Sequence, residues 1–432
     1  MPSGRRSPSE PKSSLLSKIV IDTRPLRIGG FRRLWMSNIV FTVGSQFTIV
    51  AVPKQVYDIT GSSAYVGLTG AAALLPLLVF GLWGGAIADT VDRRKMIIFS
   101  NAGSALSLLI MWLQAWLAIN NVWLVLGLLV LVQSFASLGS PARNAVVPRL
   151  VSDELVPSAV ALNTTVFHFG AIFGPLLAGL LIPFIGLSTL YILDSFALSL
   201  ALLAVLSLPA MPPLTGPSRR AGLRDILDGF RYLRTQKILM ASYVLDLIAM
   251  IAGMPMALFP EMAERTFGDP PGGGIGLGWL YAAIPLGSLV VGVTSGWLSR
   301  VSRHGVGVVV GVCAWGLAIV GFGLSDSLVA AVIFLAIGGA ADFVSMVYRN
   351  SMLQSAATDE MRGRLQGIFT VVVAGGPRLS HLLHGWAAAG FGTAVAASGG
   401  GVLTIVLAIV AAILIPSFWR YRVPRREPEP AA

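Results

Sequence analysis

Long apolar runs alternate with short charged segments along the chain, and single residues do not alternate between the two kinds. Runs long enough to cross about 30 Å of hydrocarbon, about 20 residues each, recur at roughly 34–57, 65–88, 96–118, 122–142, 156–182, 187–208, 238–260, 276–299, 305–324, 327–348, 366–390 and 393–416. Strands of a membrane β-barrel are about half that length and alternate apolar with polar positions. The pattern therefore predicts an all-α polytopic membrane protein of twelve transmembrane helices.

Composition agrees with the pattern. Of 432 residues, 55% are apolar and 12% charged, with a mean hydropathy of +0.77, well outside soluble globular usage. A net charge of +11 would suggest nucleic acid in a soluble chain; in a membrane protein the sign is read loop by loop. Eight Lys or Arg precede the first span, six lie between spans 6 and 7, and the remaining even-numbered loops and the C-terminal segment carry most of the others. Only Lys54 and Arg265 fall on the opposite side, and Arg378 falls inside span 11. The positive-inside rule then places both termini in the cytoplasm, with anionic headgroups as natural contacts. One cysteine, Cys313, excludes a disulfide framework and a Cys-based metal site.

The division expected from this reading is a disordered basic tail over 1–30, a six-helix bundle over 31–208, a linker over 209–237, a second six-helix bundle over 238–416 and a tail over 417–432. Within the linker, Leu223, Ile226, Leu227, Phe230 and Leu233 share one face of an amphipathic helix expected on the cytoplasmic surface. An internal repeat supports two halves. Arg143-Asn144 is followed by Asp153-Glu154 as Arg349-Asn350 is by Asp359-Glu360, and Gly67, Ala71, Ala72, Gly81 and Gly85 match Gly278, Ala282, Ala283, Gly292 and Gly296 at one constant offset.

The segment "GGAIADTVDRRK", Gly84 to Lys95, between spans 2 and 3, resembles the signature of the major facilitator superfamily, whose architecture is also twelve spans in two six-span repeats. The matching residues are Gly85, Ile87, Ala88, Asp89, Arg93 and Arg94; Asp92 stands where that pattern has a glycine. The segments "PARNAVVPRLV" from Pro141, "LDLIAMIAGMPMALFP" from Leu245, "LGWLYAAIPLGSLVVG" from Leu277 and "MRGRLQG" from Met361 resemble the branch of enterobactin (siderophore) exporters and macrolide efflux proteins. The resemblance implies a gating role for Gly85, Asp89, Arg93 and Arg94, with Asp89 closing the cytoplasmic face when the two halves meet. The repeat counterpart "GWLSRVSRHG" has Arg300 where an acid is expected. "GAIFGPLLAG" in span 5 is similar to the glycine and proline motif of the superfamily's antiporters. Gly170, Gly174 and Pro175 join the gating set on that ground, allowing close helix approach and bending; small-residue packing alone accounts for much of the same pattern.

Ionisable groups inside spans are expensive and functional by default. At 1.5 Å per residue, Asp246 lies about 15 Å into span 7, and Arg378 and His168 each about 18 Å into spans 11 and 5. Spans 1, 4, 7 and 10 line the cavity in the resembling fold, which ranks Asp246 and Asp342 above Asp194 as proton-coupling acids. The alternative is a permanent ion pair of Asp246 or Asp342 with Arg378. Arg378, Gln46, Tyr243 and His168 are the substrate-binding candidates, Arg378 because a guanidinium suits carboxylates and catecholates. Asn38, Tyr348, Trp279 and Tyr281 are further polar and aromatic contacts; Trp35, Trp123 and Trp419 read as interface anchors. His381 and His384 do not share a face, which argues against a metal site.

No G-x-S-x-G, H-E-x-x-H or Walker A pattern occurs, so neither an enzyme nor a nucleotide-driven pump is expected, and no cofactor. The expected function is proton-antiport export of bulky amphipathic small molecules, siderophore-like or drug-like, across the bacterial plasma (inner) membrane. Expected partners are that substrate, protons and membrane lipids, in a monomer without nucleic acid. A nutrient importer of the same fold and a non-transport receptor or scaffold are the alternatives.

Overall fold

The computed structural model describes residues 22–88, 90–207, 211, 231–356 and 359–422. Twelve long helices occupy the expected spans: α1 (Gly29–Thr60), α2 (Ser63–Ala88), α3 (Arg93–Trp116), α4 (Val122–Leu150), α5 (Val156–Ile185), α6 (Leu187–Leu206), α7 (Lys237–Ala252), α8 (Ile275–Val293), α9 (His304–Gly323), α10 (Leu328–Ala356), α11 (Asp359–Phe391) and α12 (Thr393–Leu414). Among the described residues no strand occurs, and 11 helical segments are long and apolar enough to cross a membrane. The expected span not among them is α11, which carries Arg378, His381 and His384 in its middle. The molecule turns large apolar side chains outward: Phe184, Val293 and Leu414 are 80%, 80% and 75% exposed. Such a surface suits hydrocarbon and would not persist in water.

Helix starts and stops follow local chemistry. The Asp92 carboxylate accepts from Arg94 N and caps α3; Asn121 accepts from Trp123 N and Leu124 N and caps α4. Asp92 also accepts from Met211 N at 3.2 Å, so the residue that replaces the expected glycine ties the start of α3 to the segment after α6. At the far end of the bundle, Gly61, Gly186 and Gly392 turn the chain between helices with φ of 62°, 76° and 83°, a region open to glycine. Gly186 and Gly392 are separated by the same 206 residues as Arg143 and Arg349.

Several helices run longer than the apolar runs that predicted them. The reading that ended spans 4 and 10 near residues 142 and 348 is corrected: α4 continues to Leu150 through Pro141 and Pro148, and α10 to Ala356. Prolines inside membrane helices are tolerated where neighbours satisfy the freed carbonyls. Arg143 and Arg349, expected in loops, therefore sit within helices, and Arg349 is 3% exposed. Span 7 is broken instead. After Gly253 the chain passes through a short 3-10 turn over Met256–Leu258 before a second helix, Phe259–Arg265. Trp315 Nε1 donates to Ala249 O at 3.3 Å and Ser380 Oγ to Met254 O at 2.8 Å, tying α9 and α11 to the broken segment.

Helices α1 to α6 pack on one another, as do α7 to α12; between the two groups the main contacts are α2 against α11 and α5 against α8. Of the expected linker helix, residues up to 230 lie outside the described residues, and so does the tail from 423; Leu233 is buried with Leu239, Tyr243, Leu353, Leu365 and Ile368. Near the N-terminus, Asp22 accepts from Ser158 Oγ at 3.0 Å and pairs with Arg24 at 2.8 Å, contacts that hold its carboxyl below the usual range.

Candidate functional site

Two sets of polar groups stand at different depths. The first lies at the end of the bundle remote from the termini, where the halves meet. Lys54, 1% exposed, reaches Asp58 on its own helix and Glu264 in the second half, each at 2.5 Å. Ser63 Oγ donates to Glu261 at 2.5 Å, and Glu261 also pairs with Arg265 at 3.1 Å. Tyr57 lies beneath both cations, 5.4 Å from Lys54 Nζ and 5.9 Å from the Arg265 guanidinium. Two polar links thus bridge the halves. Beside them the helices cross backbone to backbone. A Cβ on Gly67 would come within 2.7 Å of His381 O, and one on Gly385 within 2.4 Å of Ser63 O. A Cβ on Gly278 would come within 2.6 Å of Pro175 O, and one on Gly179 within 2.7 Å of Gly274 O.

The second set lies inside the C-terminal half. Asp246 is fully buried in α7, and Arg349 of α10 reaches its carboxylate at 2.7 Å and that of Asp342 at 3.5 Å. The alternative of an ion pair with Arg378 does not occur; the cation beside both acids is Arg349. Arg378 lies on α11 and donates to its own Ala374 carbonyl; among the described residues it meets no carboxylate. Asp194 is buried and accepts from the Thr48 hydroxyl, which fits a helix-packing role.

The remaining candidates are scattered. Gly170 and Gly174 let α5 close on Thr42 and Gln46 of α1, where a Cβ would come within 2.5 and 2.4 Å. Gln46 is half-buried at that contact. Pro175 lies inside α5, and its carbonyl faces Gly278. The Tyr243 hydroxyl donates to Leu365 O at 2.8 Å, joining α7 to α11. His168 is half-buried and edge-on to Phe167, ring centroids 5.8 Å apart. Arg93 Nη1 donates to Ala145 O at 3.3 Å and Arg94 Nη2 to Leu206 O, so both join helices on the termini side. Asp89 and the surroundings of Gly85 lie outside the described residues. Trp35 donates to Leu162 O at 3.3 Å, a link between α1 and α5. His384 bonds within its own helix to Ser380, and among the described residues no cluster able to hold a metal ion occurs.

Sequence reasoning missed the Lys54 to Glu264 bridge and the role of Arg349. Lys54 was visible as an isolated cation at the end of span 1, but its partner lies 210 residues away. Arg349 was visible as half of a repeated Arg-Asn pair and was assigned to a loop because span 10 was drawn too short.

A fully helical bundle with an apolar exterior and buried charge between helices is the architecture of a major facilitator transporter. The chain belongs to the transmembrane secretion effector family, which it matches over residues 22–429. It is a multi-pass membrane transporter and not an enzyme. It is 29% identical over 415 residues to the enterobactin exporter EntS of Shigella boydii serotype 18, covering 95% of this chain and 97% of that one. The same figures hold for EntS of Escherichia coli O81. Among solved structures, the nucleoside transporter NupG superposes with a TM-score of 0.73 at 12% identity, covering 91% of this chain and all of that one. A bacterial homolog of the human lysosomal transporter Spinster gives 0.67 at 14%, covering 92% and 97%. At such identities these two show the fold alone.

Proposed function

We propose that this protein is a secondary active exporter of bulky amphipathic small molecules, siderophores first among them, working by proton antiport and alternating access in the bacterial inner membrane. The carrying observation is the similarity to enterobactin exporters along nearly the whole of both chains. The termini face the cytoplasm on the positive-inside argument, and the face bridged by Lys54 and Glu264 is then the outer one, shut in this conformation.

Asp246 and Asp342 are the proton-coupling pair. Two carboxylates share one guanidinium, so the cluster carries one uncompensated negative charge when all three groups are ionised. One proton neutralises it, and burial makes that neutral state the affordable one. Asp89, Gly85, Arg93 and Arg94 form the inner gate, and Gly170, Gly174 and Pro175 the flexible part of α5. Arg378, Gln46 and His168 contribute to the substrate path, with Tyr243 at its edge. Anionic headgroups contact the basic cytoplasmic face.

The test is efflux of enterobactin and of a macrolide from cells carrying the intact protein or Asp246→Asn, with and without a protonophore. Extrusion of either compound by intact cells, stopped by the protonophore and lost in Asp246→Asn, is the expected result. Extrusion of neither compound overturns the exporter reading; extrusion indifferent to the protonophore overturns proton coupling.

A further inference from the structure

Arg143 is the repeat counterpart of Arg349, and the two differ in what surrounds them. Arg349 and Arg143 are 206 residues apart. At the same offset, the position of Asp342 is taken by Ala136. The position of Asp246 falls at Val40, next to Phe41. The half-buried Phe41 ring lies 4.7 Å from the Arg143 guanidinium. Both acids of the C-terminal cluster are therefore replaced by apolar residues in the N-terminal half, and the arginine is kept.

What remains around Arg143 is neutral. Its Nη1 donates to Asn101 Oδ1 at 2.6 Å and its Nη2 to the Ala136 carbonyl at 3.2 Å. Among the described residues no carboxylate pairs with it. An arginine has five N–H donors and does not lose its charge; here two donors are taken up by neutral acceptors, and the face of the guanidinium is taken up by an aromatic ring. Arg143 is half-buried, and a partly desolvated cation is costly unless an anion accompanies it. Asn101, itself 2% exposed, fixes one edge of the guanidinium. Such a fixed, planar fork matches the paired oxygens of an aryl carboxylate, and the Phe41 ring adds a surface for an aromatic group to pack on.

We infer that Arg143, with Phe41 and Asn101, is the subsite that holds the anionic aryl group of the transported molecule. The substrate supplies in this half the negative charge that Asp246 and Asp342 supply in the other. The inference rests on the exporter reading and names the chemistry that reading leaves open.

The experiment measures binding of two matched probes, 2,3-dihydroxybenzoate and the uncharged 2,3-dihydroxybenzamide, to the purified full chain in phosphatidylcholine nanodiscs at pH 7, with melting recorded for each variant. The intact protein is expected to prefer the acid at least tenfold. Arg143→Gln, which keeps donors for Asn101, is expected to bind the acid no better than the amide, with amide affinity unchanged; Arg143→Lys is expected to fall between. A folded Arg143→Gln that keeps the preference overturns the subsite alone, and a parallel loss for both probes makes the residue structural. Loss of preference in Arg143→Lys alone supports the subsite if the Gln variant fails to fold. Binding of neither probe by the intact protein overturns the subsite, and the efflux assay shows independently whether the exporter reading falls with it. If phosphatidylglycerol in the nanodisc abolishes acid binding and raises the melting temperature only when Arg143 is present, the guanidinium belongs to a lipid phosphate and the inference is overturned.

Discussion

Gly278 of α8 lies against Pro175 of α5 so closely that a Cβ there would stand 2.6 Å from the Pro175 carbonyl oxygen. Gly67 and Gly385 repeat the arrangement between α2 and α11: Gly67 precedes Gly278 by the offset that relates α2 to α8, and Gly179 precedes Gly385 by the same 206 residues that separate Arg143 from Arg349. The outer closure therefore has two backbone crossings related by the internal repeat.

Gly278→Val forces α5 and α8 apart at this crossing, because the contact is with backbone that cannot rotate away. The closed outer face is expected to lose population. With Cys313→Ala as background, a reporter cysteine at Ser62 should react with a membrane-impermeant maleimide several-fold faster in Gly278→Val than in its absence; an unchanged rate would show that the crossing does not hold the face shut.

Lys54→Met leaves Asp58 and Glu264 facing each other without their shared cation. Both carboxylates are about a third exposed (32% and 29%), so water and screening soften the effect. The variant is expected to label faster at the same reporter, and adding Glu264→Gln should partly restore the slow rate. A double-mutant cycle on melting should give a coupling of about 0.5–3 kcal/mol. Strict additivity would remove Lys54 to Glu264 from the list of closing contacts.

Arg349→Ala and Asp246→Asn should part company. Removing the arginine leaves two carboxylates uncompensated in the interior, an error of the kind that costs about 3–5 kcal/mol, and protein yield and melting temperature should fall together. Asp246→Asn keeps Arg349 paired with Asp342 and should fold, while proton-driven extrusion is lost. Equal stability of the two variants would contradict the buried cluster.

Tyr243→Phe deletes a hydroxyl whose described acceptor is a backbone carbonyl. Leu365 O lies within α11 and keeps its intrahelical partner, so the loss is that of one net hydrogen bond, about 0.5–1.5 kcal/mol, and melting should drop modestly with substrate affinity little changed. A drop in affinity at constant melting would place Tyr243 within the substrate path and not at its edge.

The fold was legible because hydrocarbon imposes a long, simple pattern: twelve apolar runs, repeated motifs and the asymmetry of basic residues define the spans without reference to packing. Helix ends were less so. The apolar run of span 4 ends near residue 142, yet the helix passes through Pro141 and Pro148 to Leu150, since a helix can outrun the apolar stretch that crosses the membrane and proline is tolerated in such helices. That misplaced boundary hid Arg143 and Arg349, although the Arg-Asn pairs themselves were in view. Asp246 and Asp342 were found by their cost in the membrane, but Arg349 was not recognised as their partner, and Arg378 was weighed as the alternative, because three-dimensional proximity between α7, α10 and α11 is not encoded in depth alone. The bridge from Lys54 to Glu264 joins residues from separate halves and has no local pattern at all.

The two glycine crossings bear on how the halves come apart. Interlocked side chains would have to change rotamer one after another before the surfaces could separate, and each step would add a barrier. Bare backbone has no such teeth. The halves can part along both crossings at once, as two smooth plates do, and the charged part of the resistance to opening then resides in the Lys54 cluster, whose carboxylates protons and ions in the outer medium can reach.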